Sequence, residues 1–247
     1  MLIQYLKADL LKTKRLSLPL AHILIPIGTA VLFIAYYTYS PWSELMKIDV
    51  FYQVLGTALP VLIGVFCSVL AEQEYTAGAF QSLLIARKKY EPFLSKLIVL
   101  LLWALGALLL ASTLFGLGFH FVLGNYLIPI SFYLFMPLLL LGSSIVLYLL
   151  HLFLAFRFNR GVSLGLGIGE SLVSALFLTD MGKYAWKYVP ASWPARMSTT
   201  FLSAYTGDMT AEATLHTMLP VGAAFTLAAI VFYIIWASRW EGTKNSD

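Results

Sequence analysis

Charge is what this chain has least of. Asp, Glu, Lys and Arg make up 11% of its 247 residues, where a soluble domain carries about 25%. The 60% hydrophobic content gathers into runs of about 20 residues, the length that crosses a bilayer. These features exclude an ordinary soluble enzyme or nucleic-acid-binding domain. The formal net charge of +4 becomes a matter of membrane topology, and no nucleic-acid partner is expected. The single cysteine, Cys67, lies in an apolar run, so no internal disulfide can form and the redox compartment cannot be read from it. No Gly-x-x-x-x-Gly-Lys-Ser/Thr phosphate loop occurs, since Gly182-Lys183 lacks the preceding glycine and the following hydroxyl. The chain is therefore not expected to hydrolyse ATP by itself. No His-Glu-x-x-His, Ser/His/Asp or paired intramembrane glutamate motif is present either. No catalytic residue, bound cofactor or metal site is expected.

The stretch Glu72–Lys96 is where the scarce charge collects. Glu72, Glu74, Arg87, Lys88, Lys89, Glu91 and Lys96 lie within it, out of 16 basic and 12 acidic residues in the chain. A charged island between two apolar runs reads as a loop in water. Tyr75, Phe80, Leu83, Leu84 and Arg87 recur at three-, four- and five-residue spacing, which predicts a short helix in its middle. Pro92 should lie beyond the end of that helix, because it cannot sit inside one without losing a backbone bond. The acidic residues lead and the basic residues follow, the order that suits the helix dipole. The plain alternative is an ordinary solvated loop.

The rest reads as an all-α polytopic membrane protein, a single membrane domain over 1–247. Residues 2–16 form an amphipathic start, with Leu2, Ile3, Leu6 and Leu10 on one face and Gln4, Lys7, Lys12, Lys14 and Arg15 on the other. Such a helix lies in the interface of an anionic, cytoplasmic leaflet. Six spans follow, at about 18–39, 50–70, 97–123, 127–156, 162–178 and 218–236. The charged loop covers 72–96 and a long connection covers 179–217. Gly124-Asn125-Tyr126 is read as a tight turn, and Gly161, Gly165, Gly167 and Gly169 as a small-residue packing face. Twelve of the 16 Lys and Arg residues fall on one side of this arrangement and four (Lys47, Lys183, Lys187 and Arg196) on the other. The positive-inside rule puts both termini and the charged loop in the cytoplasm of a cell-membrane protein.

Two groups of residues bear on a transport path. Glu170 is the one acid deep in a predicted span, where a charge costs roughly 2.5–3.5 kcal/mol on insertion scales. With no intramembrane Lys or Arg beside it, it reads as an unpaired carboxyl that contacts substrate or binds a proton, or else as a structural hydrogen-bonding group. Lys183, Trp186, Lys187, Trp193 and Arg196 interleave base and aromatic. They suit either a surface for an amphipathic substrate leaving the outer leaflet or a belt of interfacial anchors. His120 and His151 read as interfacial hydrogen-bonding groups, and Ser143-Ser144 as helix packing.

Glu74, Gly78, Leu83-Leu84, Arg87 and Lys96 resemble the cytoplasmic loop of exporter-type (type-two) ABC permeases. Ala79-Phe80-Gln81-Ser82-Leu83-Leu84, followed by Arg87-Lys88-Lys89 and Phe93-Leu94-Ser95-Lys96-Leu97, is similar to a narrower group, the MutG-like permeases of lantibiotic self-immunity. The resemblance implies an N-terminal elbow helix, short external helices between spans five and six, and a coupling helix that docks on a separate ABC ATPase, which binds the ATP. Glu72, Glu74, Gly78, Phe80, Leu83, Arg87 and Lys96 would serve that coupling. It further implies a second six-span permease as partner and a lantibiotic or other antimicrobial peptide as substrate, removed from the membrane to protect the cell. An exporter permease for another amphipathic drug or lipid fits the same residues. A secondary transporter that binds a proton on Glu170 is the reading from a different class, and an intramembrane enzyme lacks its motifs.

Overall fold

The structure, a computed structural model, describes residues 1–14 and 17–242. Arg15 and Lys244, two of the twelve residues in the charge count, lie outside it. Among the described residues the chain is helical, without strands. In order come α1 (Leu2–Thr13), α2 (Leu18–Tyr37), α3 (Glu44–Thr76), α4 (Gln81–Leu84), α5 (Tyr90–Phe121), α6 (Ile130–Arg157) and α7 (Arg160–Phe177). Three short 3-10 turns, Asp180–Gly182, Trp186–Tyr188 and Pro190–Ser192, then lead to α8 (Trp193–Tyr205) and α9 (Met209–Ser238).

Five helices, α2, α3, α5, α6 and α9, are long and apolar enough to cross a membrane. The remaining expected span, α7, is not among them. It has 18 residues, roughly 27 Å of helix, and spends several on Arg160, Glu170 and glycine. It nevertheless runs antiparallel beside α3 along much of its length. Ser68 Oγ lies 3.2 Å from the Arg160 carbonyl, Ser163 Oγ lies 3.3 Å from the Gly64 carbonyl, and Val61 N–H donates to Ser171 Oγ at 3.1 Å. That last bond sits where Pro60 interrupts the ladder of α3, so a neighbouring hydroxyl meets the disturbed backbone.

The helices extend past the expected spans at several ends. α3 continues to Thr76 and α5 begins at Tyr90, so the loop between them is shorter than its charge suggests. No helix covers Tyr75–Arg87: α3 stops, the chain reverses through Gly78 (φ 147°), Ala79 (φ 49°) and Phe80 (φ 66°), and α4 has only four residues. Pro92 ends no helix and instead occupies the first turn of α5, where its missing N–H would have had no intrahelical partner. The glycine face on α7 is largely open. Only Gly167 is pressed closely by another helix, since an added Cβ would lie 2.8 Å from the Pro60 carbonyl, while Gly165 and Gly169 meet nothing within 4 Å.

The contacts define two ends of the bundle. At one, Phe93 of α5 and Phe156 of α6 pack with Phe80, Trp236 and Trp240. Lys89 Nζ donates to the Trp240 carbonyl at 2.9 Å, and Trp240 Nε1 donates to the Phe156 carbonyl at 3.3 Å. At the other, Phe51 of α3 stacks on Phe115 of α5 at 3.7 Å. There Tyr52 Oη bonds Ser112 Oγ at 2.6 Å, and Asp49 accepts from Thr199 of α8 at 2.8 Å.

Candidate functional site

Two polar constellations stand inside this otherwise apolar molecule. The first gathers where α1, the end of α3, α4 and the start of α5 meet. Glu74, on the last turn of α3, is only 3% exposed. Its Oε1 receives Lys12 Nζ at 2.7 Å and Lys96 Nζ at 2.9 Å, and its Oε2 accepts from Ser82 Oγ at 3.1 Å. Lys96 Nζ also reaches Asp9 Oδ1 at 3.0 Å, while Ser95 Oγ donates to Asp9 Oδ2. Gln73 Nε2 donates to the Lys12 carbonyl at 3.2 Å, and Trp103 Nε1 to Thr13 Oγ1 at 3.3 Å. Two carboxylates face two ammoniums, so the group is neutral, and each buried charge has at least two partners. That is the condition under which buried ion pairs are tolerated.

Glu74 and Lys96 therefore do not present charge to a partner, as the sequence reading expects of them. The inward face of α1 is likewise led by Asp9 and Thr13, the two residues that α1 buries, while Ile3 and Leu11 are exposed. Phe80 and Leu83 are buried too. The outward side of the loop is carried by Gly78, Gln81, Ile85, Arg87 and Lys88. Glu72 is also exposed and pairs with Arg160 at 2.6 Å.

The second constellation corrects the reading of Glu170 as unpaired. Glu170 Oε2 lies 2.9 Å from Nε2 of His151, and Nδ1 of His151 lies 3.0 Å from Ser163 Oγ. His151 is not interfacial: it is fully buried and packs against α3 and α7 where both carry glycine, with ideal Cβ positions on Gly64 and Gly167 lying 3.4 Å from its ring. The order Ser163–His151–Glu170 matches that of a hydrolytic triad, yet Ser163 has no exposed surface and cannot meet a substrate. Glu170 opens on an apolar cavity of about 550 Å³ between α6, α7 and α9, bordered by Leu150, Phe153, Leu166, Phe225 and Phe232. A second apolar cavity of about 540 Å³, bordered by Phe135, Trp193, Met197 and Gly222, lies between α6, α8 and α9.

The interleaved bases and aromatics divide. Trp186 and Trp193 are buried against Val146, Met197, Leu215 and Met218. Arg196 is tied down, donating from Nε to the Phe177 carbonyl and from its guanidinium to the Thr179 carbonyl at 3.0 Å. Lys183 is exposed beside the Tyr184 ring, and Lys187 is half-buried. Lys183 follows the Asp180–Gly182 turn, and Lys187 lies within the separate Trp186–Tyr188 turn. His120 bonds the Gly116 carbonyl at 3.1 Å, and Ser143 and Ser144 bond back to carbonyls of their own helix.

No curated protein and no solved structure matches the chain. A family model does: that of the "ABC-2 family transporter protein" spans residues 5–175, from α1 through nearly all of α7 and including both polar constellations. The match covers well over half of the chain. With its multiple apolar helices, it makes this a multi-pass membrane protein, a transport subunit that depends on an ABC ATPase partner: the chain belongs to the ABC-2 family of transporter permeases.

Proposed function

We propose that the chain is the permease subunit of an ABC exporter that removes a lantibiotic or related antimicrobial peptide from the cell membrane. Six crossings, with α7 as the fifth, put both termini and the 72–96 loop in the cytoplasm. A second six-span permease completes the path. The ATPase meets Gly78, Arg87, Lys88, Ile85 and Glu72 from outside. Glu74, Phe80, Leu83 and Lys96 pass the push inward.

The buried Asp9–Lys96–Glu74–Lys12 group is the observation that carries this reading. A push on the loop must reach the membrane helices through something stiff, and this group ties the loop to α1, α3 and α5 in one block. The peptide substrate is supported by the resemblance of Ala79–Leu84, Arg87–Lys89 and Phe93–Leu97 to the lantibiotic-immunity group. Membership of an ATPase-driven family gives the energy to the partner, which removes the need for proton coupling on Glu170.

The experiment is to produce the chain with its ATPase and sister permease in lantibiotic-sensitive cells and measure tolerance. Tolerance should rise, and should fall back with Arg87→Glu although the protein still inserts. A complex that hydrolyses ATP yet confers no tolerance to any lantibiotic, and leaves as much cell-bound peptide as before, would sink the peptide assignment.

A further inference from the structure

Glu170 has His151 as its side-chain partner, and no Lys or Arg among the described residues pairs with it. Ser163 Oγ lies 3.0 Å from His151 Nδ1 and 3.3 Å from the Gly64 carbonyl, so the imidazole that reaches Glu170 Oε2 through Nε2 is also held at its other nitrogen. Among the described residues Glu170 Oε1 makes no hydrogen bond, and Glu170 is the only charged one of them that borders the 550 Å³ cavity. The remaining border is aliphatic and aromatic, with Phe153, Phe225, Phe232 and Tyr233 supplying ring faces of the kind that attract an organic cation.

We infer that the cavity between α6, α7 and α9 binds a membrane-dissolved amphiphile with one protonated amine on an apolar body, the amine resting on Glu170 Oε1. The volume falls within the roughly 300–1,000 Å³ usual for small-molecule sites. A half-buried carboxylate beside apolar walls disfavours an anion and favours a cation over a neutral isostere. A zwitterionic phospholipid headgroup fits poorly, because its phosphate would follow the amine into a cavity bordered by no Lys or Arg. His151 is a positioning residue, held in place by Ser163. The inference rests on the export reading only in taking such an amphiphile, or the lysine-bearing part of an amphipathic peptide, as cargo.

The test is equilibrium dialysis of radiolabelled octylamine against the purified full-length permease in maltoside detergent, without the ATPase. Octanol, octanoate and dihexanoylphosphatidylethanolamine serve as competitors. Octylamine should bind saturably at one site per chain and octanol about tenfold or more weaker, the scale of one desolvated charge-assisted bond. Octanoate should not compete. Glu170→Gln should weaken octylamine by about the same factor and leave octanol unchanged. Glu170→Asp, which keeps the charge should Glu170→Gln fail to fold, should retain the preference for amine. Leu166→Trp, which fills the cavity, should weaken both ligands. Equal binding of octylamine and octanol, indifference to Glu170→Gln, or competition by the phosphatidylethanolamine as strong as by the amine would each overturn the inference. Because binding is measured on the permease alone, a negative result leaves the tolerance experiment standing, and loss of tolerance leaves the binding result standing.

Discussion

Lys96 and Glu74 stand 22 positions apart in the chain and 2.9 Å apart in the molecule, with side chains only 1% and 2% exposed. Lys96 is the one cation of the cluster that touches both carboxylates, Glu74 and Asp9. Lys12 Nζ pairs with Glu74 alone among the described residues and is 38% exposed. Removing Lys96 therefore leaves two buried acids short of charge, whereas removing Lys12 leaves Glu74 still paired. Lys96→Met should destabilise the protein by about 3–5 kcal/mol, the cost of breaking a buried pair. Lys12→Met should cost no more than about 1 kcal/mol, as for exposed pairs. Thermal melting of the two variants in detergent checks this, and equal shifts would mean that the pairing has no structural weight.

The outward side of the loop calls for the opposite behaviour. Arg87 is exposed and makes no ion pair among the described residues, so its charge is free for a partner. Arg87→Glu should leave the melting temperature of the isolated permease unchanged. In the assembled complex it should lower substrate-stimulated ATP hydrolysis severalfold, since a desolvated charge-assisted contact is worth about 1.5–3 kcal/mol. The two readouts separate a docking role from a folding one. Wild-type coupling would move the docking surface away from Arg87.

Much of this architecture could be read from residue order, and the exceptions have physical causes. Apolar runs located α2, α3, α5, α6 and α9 because lipid demands about 20 apolar residues whatever the neighbours are. Their ends were less legible: α3 and α5 keep their helical bonds beyond the apolar core, so polar residues such as Glu74 and Lys96 belong to helices and not to the loop between them. The reversal at Gly78–Phe80 had only glycine as a signal, and Ala79 and Phe80 carry none. Asp9 could have been found, since it lies three residues after Leu6 on the apolar side of α1 and is the only acid in that helix. The His151–Glu170 pair could not. Periodicity reports which residues share one helix face, whereas this contact joins two helices whose relative rotation is set by Gly64 and Gly167 packing.

That packing gives a paired prediction on α7. Gly167→Ala places a methyl 2.8 Å from the Pro60 carbonyl, a backbone atom that cannot step aside, whereas Gly165→Ala meets nothing within 4 Å. The first should destabilise by about 1–3 kcal/mol, as overpacking does. The second should be neutral or slightly stabilising, because alanine is the better helix former. If Gly167→Ala melts like wild type, α7 does not press on α3 at Pro60.

The last prediction concerns the side of the membrane on which the loop lies. The proposed orientation places the loop inside and the 3-10 turns after α7 outside, which is consistent with the gathering of bases around α1, the loop and the end of α6. Reporter positions must be exposed in the fold, and the fold supplies them. Ile85 on the loop is 83% exposed and Tyr188 between α7 and α8 is 84% exposed, whereas Phe80 is buried and would be shielded on either side. Cys67 is fully buried in α3, so Cys67→Ala gives a background free of thiols with little loss of packing. In that background Tyr188→Cys should react in intact cells with a membrane-impermeant maleimide. Ile85→Cys should react only after the membrane is opened. Swapped reactivity would invert the whole arrangement, while labelling of both positions from outside would break the parity of crossings between them. That parity rests on α5, α6 and α7 together, so the second outcome would remove α7 as a span and with it the six-crossing reading.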